Sequence, residues 1–126
     1  MAENREISRP ILVVEDIEAL REAITTVLKL EGYQVVTANN GREALEAMYE
    51  KEYCLILLDI QMPIMNGLEF LSVYDKQLRP HSPVALLTAE EDIDKASLPA
   101  FVIDFLAKPF ALDKLFRVVE IYAQPV

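Results

Sequence analysis

The sequence predicts a single α/β domain built on a doubly wound, five-stranded parallel sheet with the strand order 2-1-3-4-5. Five short apolar runs alternate with segments of helical periodicity, which is the pattern of parallel strands joined by crossover helices. The second run is more polar than the others, so its strand is expected at an edge of the sheet. At 126 residues and 52% hydrophobic, the chain is long enough to bury one substantial core.

The predicted strands share the length and the apolar composition of buried strands in parallel sheets. They are ILVV (11–14), YQVVTA (33–38), LILL (55–58), VALL (84–87) and FVIDFLA (101–107). Such runs are too short for buried helices, and each is bounded by polar or turn-forming residues.

Spacing and capping residues predict the helices between these strands. Apolar residues recur at helical intervals as far as Leu28, and Gly32 ends that first helix. Asn40 and Glu43 form a cap-like start for the second helix, and the third is predicted over residues 68–78. Pro99 interrupts the fourth segment, which is therefore expected to be short or irregular.

The last predicted helix carries one apolar stripe, with two further apolar residues, Val118 and Ile121, away from it. The stripe consists of Leu112, Leu115, Phe116 and Val119. The two outlying residues indicate either an exposed interaction surface or a core face broader than the stripe, and the pattern leaves both interpretations open.

Composition and charge exclude several classes of protein. The net charge of −9 opposes direct binding to nucleic acid, and no apolar run approaches the length of a membrane span. The charged N-terminus is unlike a signal peptide, and the single cysteine, Cys54, fits a reducing, cytoplasmic location. Cys54 is interpreted as a small buried hydrophobe, and His81, between two prolines, as part of an exposed loop.

Polar side chains stand at the carboxyl ends of four predicted strands. Glu15 and Asp16 follow strand 1, Asp59 follows strand 3, and Thr88 and Lys108 follow strands 4 and 5. Each alone has an ordinary explanation, such as a helix cap or a surface lysine. Because the carboxyl ends of parallel strands meet at one edge, these side chains are expected to share one pocket.

The chemistry of this pocket indicates a cation and a phosphoryl group. Two carboxylates about 4 Å apart repel by about 4 kcal/mol at an effective dielectric near 20, so three of them require protons or a metal ion. Oxygen ligands without imidazole or thiolate favour a hard cation, and a few carboxylates with waters suit Mg²⁺. A lysine and a hydroxyl beside a metal-bound carboxylate can stabilise an incoming phosphoryl group.

Four motifs in order make the chain closely resemble the receiver domain of bacterial two-component response regulators. They are VVED (13–16), LLDIQMPIMNG (57–67), LLTA (86–89) and AKPF (107–110). The resemblance implies a CheY-like, flavodoxin-like (βα)5 fold. It covers residues 9–123, with an N-terminal tail at 1–8 and a C-terminal tail at 124–126.

The resemblance also implies the metal ligands and the phosphoacceptor. Asp59 would accept the phosphoryl group from a histidine kinase or a phosphotransfer protein in a Mg²⁺-dependent reaction. Asp16 and Asp59 would bind the metal directly, Glu15 would hold it through water, and the backbone carbonyl of Gln61 would complete the protein ligands.

The remaining implied roles concern the response to phosphorylation. Thr88 and Lys108 would contact the phosphoryl group, and Phe105 would be the switch aromatic. The surface of the fourth helical segment, the fifth strand and the fifth helix would then bind a protein target or a second copy of the chain. The chain departs from the family at Ala100-Phe101, where Gly-Ala is frequent, and in having Phe rather than Tyr at 105.

Two alternatives compete with this interpretation. A phosphatase of the haloacid dehalogenase type would need a second acid two residues after its nucleophile, and Gln61 cannot shuttle protons. A degenerate receiver that acts only as a binding module would have lost an acid or Lys108, and none is lost. The chain is therefore expected to be a signalling domain that catalyses only its own phosphorylation and dephosphorylation.

Overall fold

The computed structural model describes residues 9–89 and 93–123, and it contains one parallel sheet in the order β2-β1-β3-β4-β5. The strands are β1 (Ile11–Val14), β2 (Val35–Ala38), β3 (Leu55–Asp59), β4 (Val84–Thr88) and β5 (Val102–Ala107). The helices are α1 (Glu18–Leu30), α2 (Gly41–Glu50), α3 (Gly67–Asp75) and α4 (Leu112–Tyr122). The predicted fold class and strand order are confirmed.

The alternation of side chains along the strands divides the core into two layers. On one face, Leu12, Ile56 and Leu86 pack against α2 and α3. On the other face, Val13 and Leu57 pack against α1 and α4. Because helices cover both faces, the three central strands are buried along their whole length, which explains their continuous apolar sequences.

The fourth helical segment is irregular where the structure describes it, as its proline predicts. A single 3-10 turn, Lys95–Ser97, precedes Pro99, and Asp94 accepts a hydrogen bond from the backbone N–H of Ala96. Thr88-Ala89-Glu90-Glu91 also has the sequence of a helix capping box, and this part of the chain lies partly outside the described residues.

The prediction for His81 was wrong. Its ring is half-buried, stacks on Phe101 with centroids 4.6 Å apart, and meets Tyr74 edge-on. Its Nε2 also lies 2.7 Å from the carbonyl oxygen of Tyr74. The flanking prolines indicated a loop correctly, but a loop backbone does not determine where an aromatic side chain packs.

In the last helix, the two apolar residues outside the predicted stripe differ in their exposure. Val118 is buried in the core, whereas Ile121 is 54% exposed. Leu112, predicted on the core stripe, is 51% exposed and lines a surface groove instead. Cys54 contacts the core, and burial raises the pKa of its thiol to about 11, so it is a poor nucleophile at neutral pH.

In the part of the chain that the structure describes, every helix is too short or too polar to cross a lipid bilayer.

Candidate functional site

Strand register brings the predicted side chains to the carboxyl edge of the sheet. Val14 pairs with Leu58, so Glu15 lies level with Asp59 on the neighbouring strand. The backbone N–H of Lys108 donates to the carbonyl of Thr88 across β4 and β5. The order of strands reverses between β1 and β3, and such a switch point is where ligands bind in doubly wound sheets.

Lys108 pairs with two buried carboxylates at this edge. Its Nζ lies 2.8 Å from Oε1 of Glu15 and 3.1 Å from Oδ1 of Asp59. Glu15 has no exposed surface and Asp59 is 4% exposed, so each charge depends on its partner for stabilisation. Burial alone would lower the pKa of Lys108, but its hydrogen bonds to Glu15 and Asp59 raise that pKa overall.

The two carboxylates in the loop between β1 and α1 differ in their contacts: that of Glu15 accepts hydrogen bonds, whereas one oxygen of Asp16 does not. The backbone N–H of Ile17 donates to Oε2 of Glu15, and no side chain caps the start of α1. Asp16 therefore does not act as the N-cap, which removes that ordinary explanation for it. Its Oδ1 is buried without a hydrogen-bond partner among the described residues, an arrangement that costs free energy unless a ligand supplies the contact.

These acids fit a hard divalent cation. One carboxylate oxygen from each of Glu15, Asp16 and Asp59 lies within 4.8 Å of the others. Three carboxylates face one ammonium group, so their mutual repulsion is only partly relieved by Lys108. The unpartnered oxygen of Asp16 and the all-oxygen donor set both suit Mg²⁺.

The loop after Asp59 approaches its backbone closely through Gly67. A Cβ atom at Gly67 would lie 2.9 Å from the Cα of Ile60 and would also meet the carbonyl of Asp59, so only glycine fits. Asn66 begins α3 with a capping box that involves Glu69. The physical basis of this turn is the close contact between the start of α3 and the end of β3.

Strain also marks this loop. Ile64 has φ 69°, a left-handed conformation that is costly for a β-branched residue, and its side chain is 71% exposed. Strained backbone beside a ligand site is typical of segments whose shape matters for function.

The other predicted site residues lie around the pocket at different depths. Thr88 is buried at the end of β4, whereas Gln61 is exposed in the loop after Asp59. Phe105 is half-buried on β5 and packs against the α2–α3 side of the core. The ammonium of Lys95, in the 3-10 turn, lies 4.4 Å from the centroid of its ring.

Sequence reasoning missed two cations near these residues, Lys95 and Arg21. The guanidinium of Arg21 donates from Nη1 to the carbonyl oxygens of Glu15 and Asp16, at 3.0 and 3.4 Å. A basic residue near the start of a helix is an available signal, because the helix dipole disfavours cations there. No local pattern marks Lys95, whose contact with Phe105 depends on tertiary packing.

An apolar groove of about 620 Å³ adjoins the acid pocket. It lies between α1 and the loop that leads from β5 to α4. Its lining includes Leu20, Ile24, Val27, Phe110 and Leu112, with Lys108 at one end.

A doubly wound sheet with buried carboxylates and a lysine at its switch-point edge defines an α/β domain that binds its ligand at that edge. Over residues 11–120 the chain matches the response regulator receiver domain, and it belongs to this family.

Similar proteins agree with this assignment. The chain is 48% identical over 108 residues to the transcriptional regulatory protein CpxR homolog of Haemophilus influenzae, covering 82% of this chain and 45% of that protein. It is 36% identical over 115 residues to the regulatory protein AtoC of Escherichia coli, covering 87% of this chain and 24% of that protein. The chain thus spans less than half the length of these two relatives.

Solved structures show the same fold. The crystal structure of the response regulator protein TrrA from Thermotoga maritima in complex with Mg²⁺-BeF aligns with a TM-score of 0.79 at 33% identity, covering 90% of this chain and 98% of that one. The complex of the histidine kinase ThkA with TrrA contains a chain that aligns with a TM-score of 0.76 at 34% identity, covering 92% and 99%.

Proposed function

We propose that this receiver domain accepts a phosphoryl group on Asp59 in a Mg²⁺-dependent reaction. The observation that carries the proposal is the buried cluster of Glu15, Asp59 and Lys108, with the unpartnered Oδ1 of Asp16 beside it. This cluster combines a nucleophilic carboxylate, a cation in contact with it and an oxygen that lacks a ligand.

The transfer is a displacement at phosphorus in which Asp59 is the nucleophile. With acetyl phosphate, an oxygen of Asp59 forms a bond to phosphorus, the P–O bond to the acetyl group breaks, and acetate leaves with the electron pair. With a phosphohistidine donor, the P–N bond breaks instead, and the imidazole nitrogen keeps the electron pair and takes up a proton. Lys108, 3.1 Å from Asp59, stabilises negative charge on the moving group, and Thr88 donates a hydrogen bond to it.

Asp16, Asp59 and the backbone carbonyl of Gln61 would hold the metal directly, and Glu15 would hold it through water. Bound Mg²⁺ supplies charge neutralisation for the phosphoryl oxygens. The complex of the related TrrA with Mg²⁺-BeF supports this assignment by similarity. Hydrolysis would return the domain to its starting state when water attacks the phosphorus and releases inorganic phosphate from Asp59.

Intact-protein mass spectrometry after incubation with Mg²⁺ and acetyl phosphate tests the proposal. We expect one acid-labile phosphoryl group per chain, lost in Asp59→Asn and retained in the matched control Asp75→Asn, which changes an exposed acid at the end of α3. Undiminished labelling of Asp59→Asn would refute the assignment of the phosphoacceptor.

The phosphodonor is a histidine kinase or a phosphotransfer protein that docks over the groove beside Lys108. A donor imidazole must reach Asp59 from the carboxyl edge, and this groove is the apolar surface next to that edge. The kinase complex formed by the related TrrA supports a partner of this kind. Leu20→Asp in the groove is expected to slow transfer from the kinase while leaving labelling by acetyl phosphate intact.

The output is a change at the surface of the 3-10 turn, β5 and α4. When Thr88 turns toward the phosphoryl oxygens, Phe105 turns inward, and the altered surface binds a protein target or a second copy of the chain. Phe105 has no hydroxyl, so its half-buried resting position depends on packing and on the ammonium of Lys95, 4.4 Å from the ring centroid.

Beryllofluoride, a phosphoryl mimic, tests this output when combined with amide exchange and sedimentation. Changes should map to β5, α4 and the 3-10 turn, and Phe105→Ala should lose the response. Lys95→Gln should bind beryllofluoride about two- to fivefold more tightly, because an exposed cation–π contact contributes about 0.5–1 kcal/mol to the resting state. Changes confined to α1 and α2, or a normal response of Phe105→Ala, would contradict the switch.

We propose residues 9–123 as the receiver unit, with output through protein contacts rather than direct contact with nucleic acid. The net charge of −9 supports output without direct contact with nucleic acid, because binding to phosphates depends on clustered Lys and Arg. The names of relatives such as the CpxR homolog describe transcriptional regulators of more than twice the matched length.

A further inference from the structure

Arg21 contacts the backbone of the first two residues of the β1–α1 loop, Glu15 and Asp16. Its Nη1 donates to the carbonyls of Glu15 and Asp16, while its own backbone is fixed in α1 by a hydrogen bond from its N–H to the carbonyl of Ile17, 2.9 Å long. The hydroxyl of Thr25 donates to the carbonyl of Arg21. The side chain therefore ties the start of the helix to the segment that carries two of the acids.

The hydrogen bonds from Arg21 differ in their acceptors from the two other contacts of this loop, which involve the side chain of Glu15. The N–H of Ile17 donates to a carboxylate oxygen of Glu15, and Lys108 occupies the other oxygen of that carboxylate. Both contacts use the carboxylate of Glu15, which would also hold the metal through water in the proposed site. The hydrogen bonds from Arg21 use backbone carbonyls, so they can persist in the metal-free and metal-bound states.

Electrostatics alone does not explain a cation at this position. The positive end of the α1 dipole and an incoming Mg²⁺ would both be repelled by the guanidinium. If its charge dominated, Arg21 would weaken metal binding. A contribution through geometry has the opposite sign, because residues that orient metal ligands raise affinity by limiting the positions that the ligands sample.

We propose that Arg21 is a positioning residue for Mg²⁺: it holds the carbonyls of Glu15 and Asp16 so that the Asp16 carboxylate is presented to the metal before binding. This inference rests on the proposed metal site. It predicts that removing a positive charge beside the site weakens the binding of a cation.

Titration of the whole chain with MgCl₂, followed by amide chemical shifts, tests the inference, since the chain has no Trp. Arg21→Met keeps an unbranched apolar stem and removes the charge and the donors of the guanidinium. Arg42→Met is the matched control, because Arg42 also lies near the start of a helix, α2, that begins at this edge of the sheet. We expect Mg²⁺ binding about tenfold weaker in Arg21→Met and within about twofold of the unmodified chain in Arg42→Met.

Amide exchange of the metal-free protein supplies a readout independent of metal affinity. The N–H groups of Asp16 and Ile17 should exchange faster in Arg21→Met and should not change in Arg42→Met. Equal or tighter Mg²⁺ binding by Arg21→Met would overturn the inference, because the geometric contribution of Arg21 would then not exceed the repulsion between its charge and the cation.

Two further outcomes are distinguishable. If Arg21→Met does not fold, Arg21→Lys decides, since it keeps the charge but has a shorter side chain without the planar fork. It should bind Mg²⁺ several-fold more weakly, and unchanged affinity would overturn the inference. If the unmodified chain does not bind Mg²⁺ at these residues, the proposed metal site itself is wrong.

Discussion

Polar groups serve different purposes at the carboxyl ends of the strands, the carboxyl edge of the sheet, and at their amino ends, the amino edge. At the carboxyl edge, Lys108 and two carboxylates are buried together, and Oδ1 of Asp16 has no hydrogen-bond partner among the described residues. At the amino edge, the ring of Tyr74 meets Phe101 and His81 edge-on, and its hydroxyl accepts a hydrogen bond from the backbone N–H of Ser82.

Charge and aromatic packing have different roles at the two edges. Most polar groups in the amino-edge cluster are paired: Tyr53 donates to the carbonyl of Ala47, and the hydroxyl of Ser82 donates to the carbonyl of Tyr53. Nε of Arg79 is the exception there among the described residues. Packed rings and satisfied hydrogen bonds stabilise the fold, whereas incompletely compensated charge favours a ligand. Damage at the amino edge should therefore reduce stability, and damage at the carboxyl edge should change binding.

The largest effect is expected from Tyr74→Ala at the amino edge. Removing a fully buried aromatic ring should lower the free energy of unfolding by about 3–5 kcal/mol in urea titrations. Tyr74→Phe is the control and should cost about 1–3 kcal/mol, because only the acceptor for the N–H of Ser82 is lost. Mg²⁺ affinity, measured where both variants remain folded, should change by less than about twofold. If Mg²⁺ affinity fell together with stability, the amino edge would also contribute to binding, and the two edges would not have separate roles.

Lys108→Met is the corresponding change at the carboxyl edge. The ammonium of Lys108 occupies the same carboxylates that would hold the metal, so its removal should tighten Mg²⁺ binding by about tenfold, or 1.4 kcal/mol. Labelling of Asp59 should nevertheless fall, because the transferred group loses its cation. Lys114→Met, which changes a lysine near the start of α4, is the control. Weaker Mg²⁺ binding would indicate that Lys108 organises the acids rather than competing for them.

The carboxyl-edge side of this contrast could be predicted from the sequence, and the reasons are local. Buried parallel strands are continuous apolar runs, and the polar residue that ends each one must lie at the carboxyl edge. The pairing of Lys108 with Glu15 as well as Asp59 was not predictable, because it joins residues 93 positions apart and depends on side-chain rotamers. The same limit applies to His81 on Phe101, where a loop pattern gave no indication of a packed ring.

Ile64 is a source of backbone strain at the carboxyl edge, since it lies in the loop that follows Asp59. Ile64→Asn should raise the free energy of unfolding by about 1 kcal/mol, because Asn tolerates the left-handed conformation that costs a β-branched residue. Chemical denaturation measures the gain, with Ile121→Asn on α4 as an exposed control. If Ile64→Asn is no more stable than the unmodified chain, the conformation of Ile64 does not lower the stability of the protein.

The smallest effect is expected from the ion pair at the amino edge. Arg9 and Glu52 approach to 2.9 Å, but their side chains are 57% and 69% exposed, so water and salt screen the attraction. A double-mutant cycle with Arg9→Met and Glu52→Gln should give a coupling energy below about 0.5 kcal/mol, which 0.5 M NaCl reduces further. The matched cycle with Lys108→Met and Glu15→Gln should give about 1.5–3 kcal/mol, because that pair is buried and hydrogen-bonded. Equal coupling in the two cycles would mean that burial does not set the strength of these pairs, and the contrast between the edges would then rest on the aromatic cluster alone.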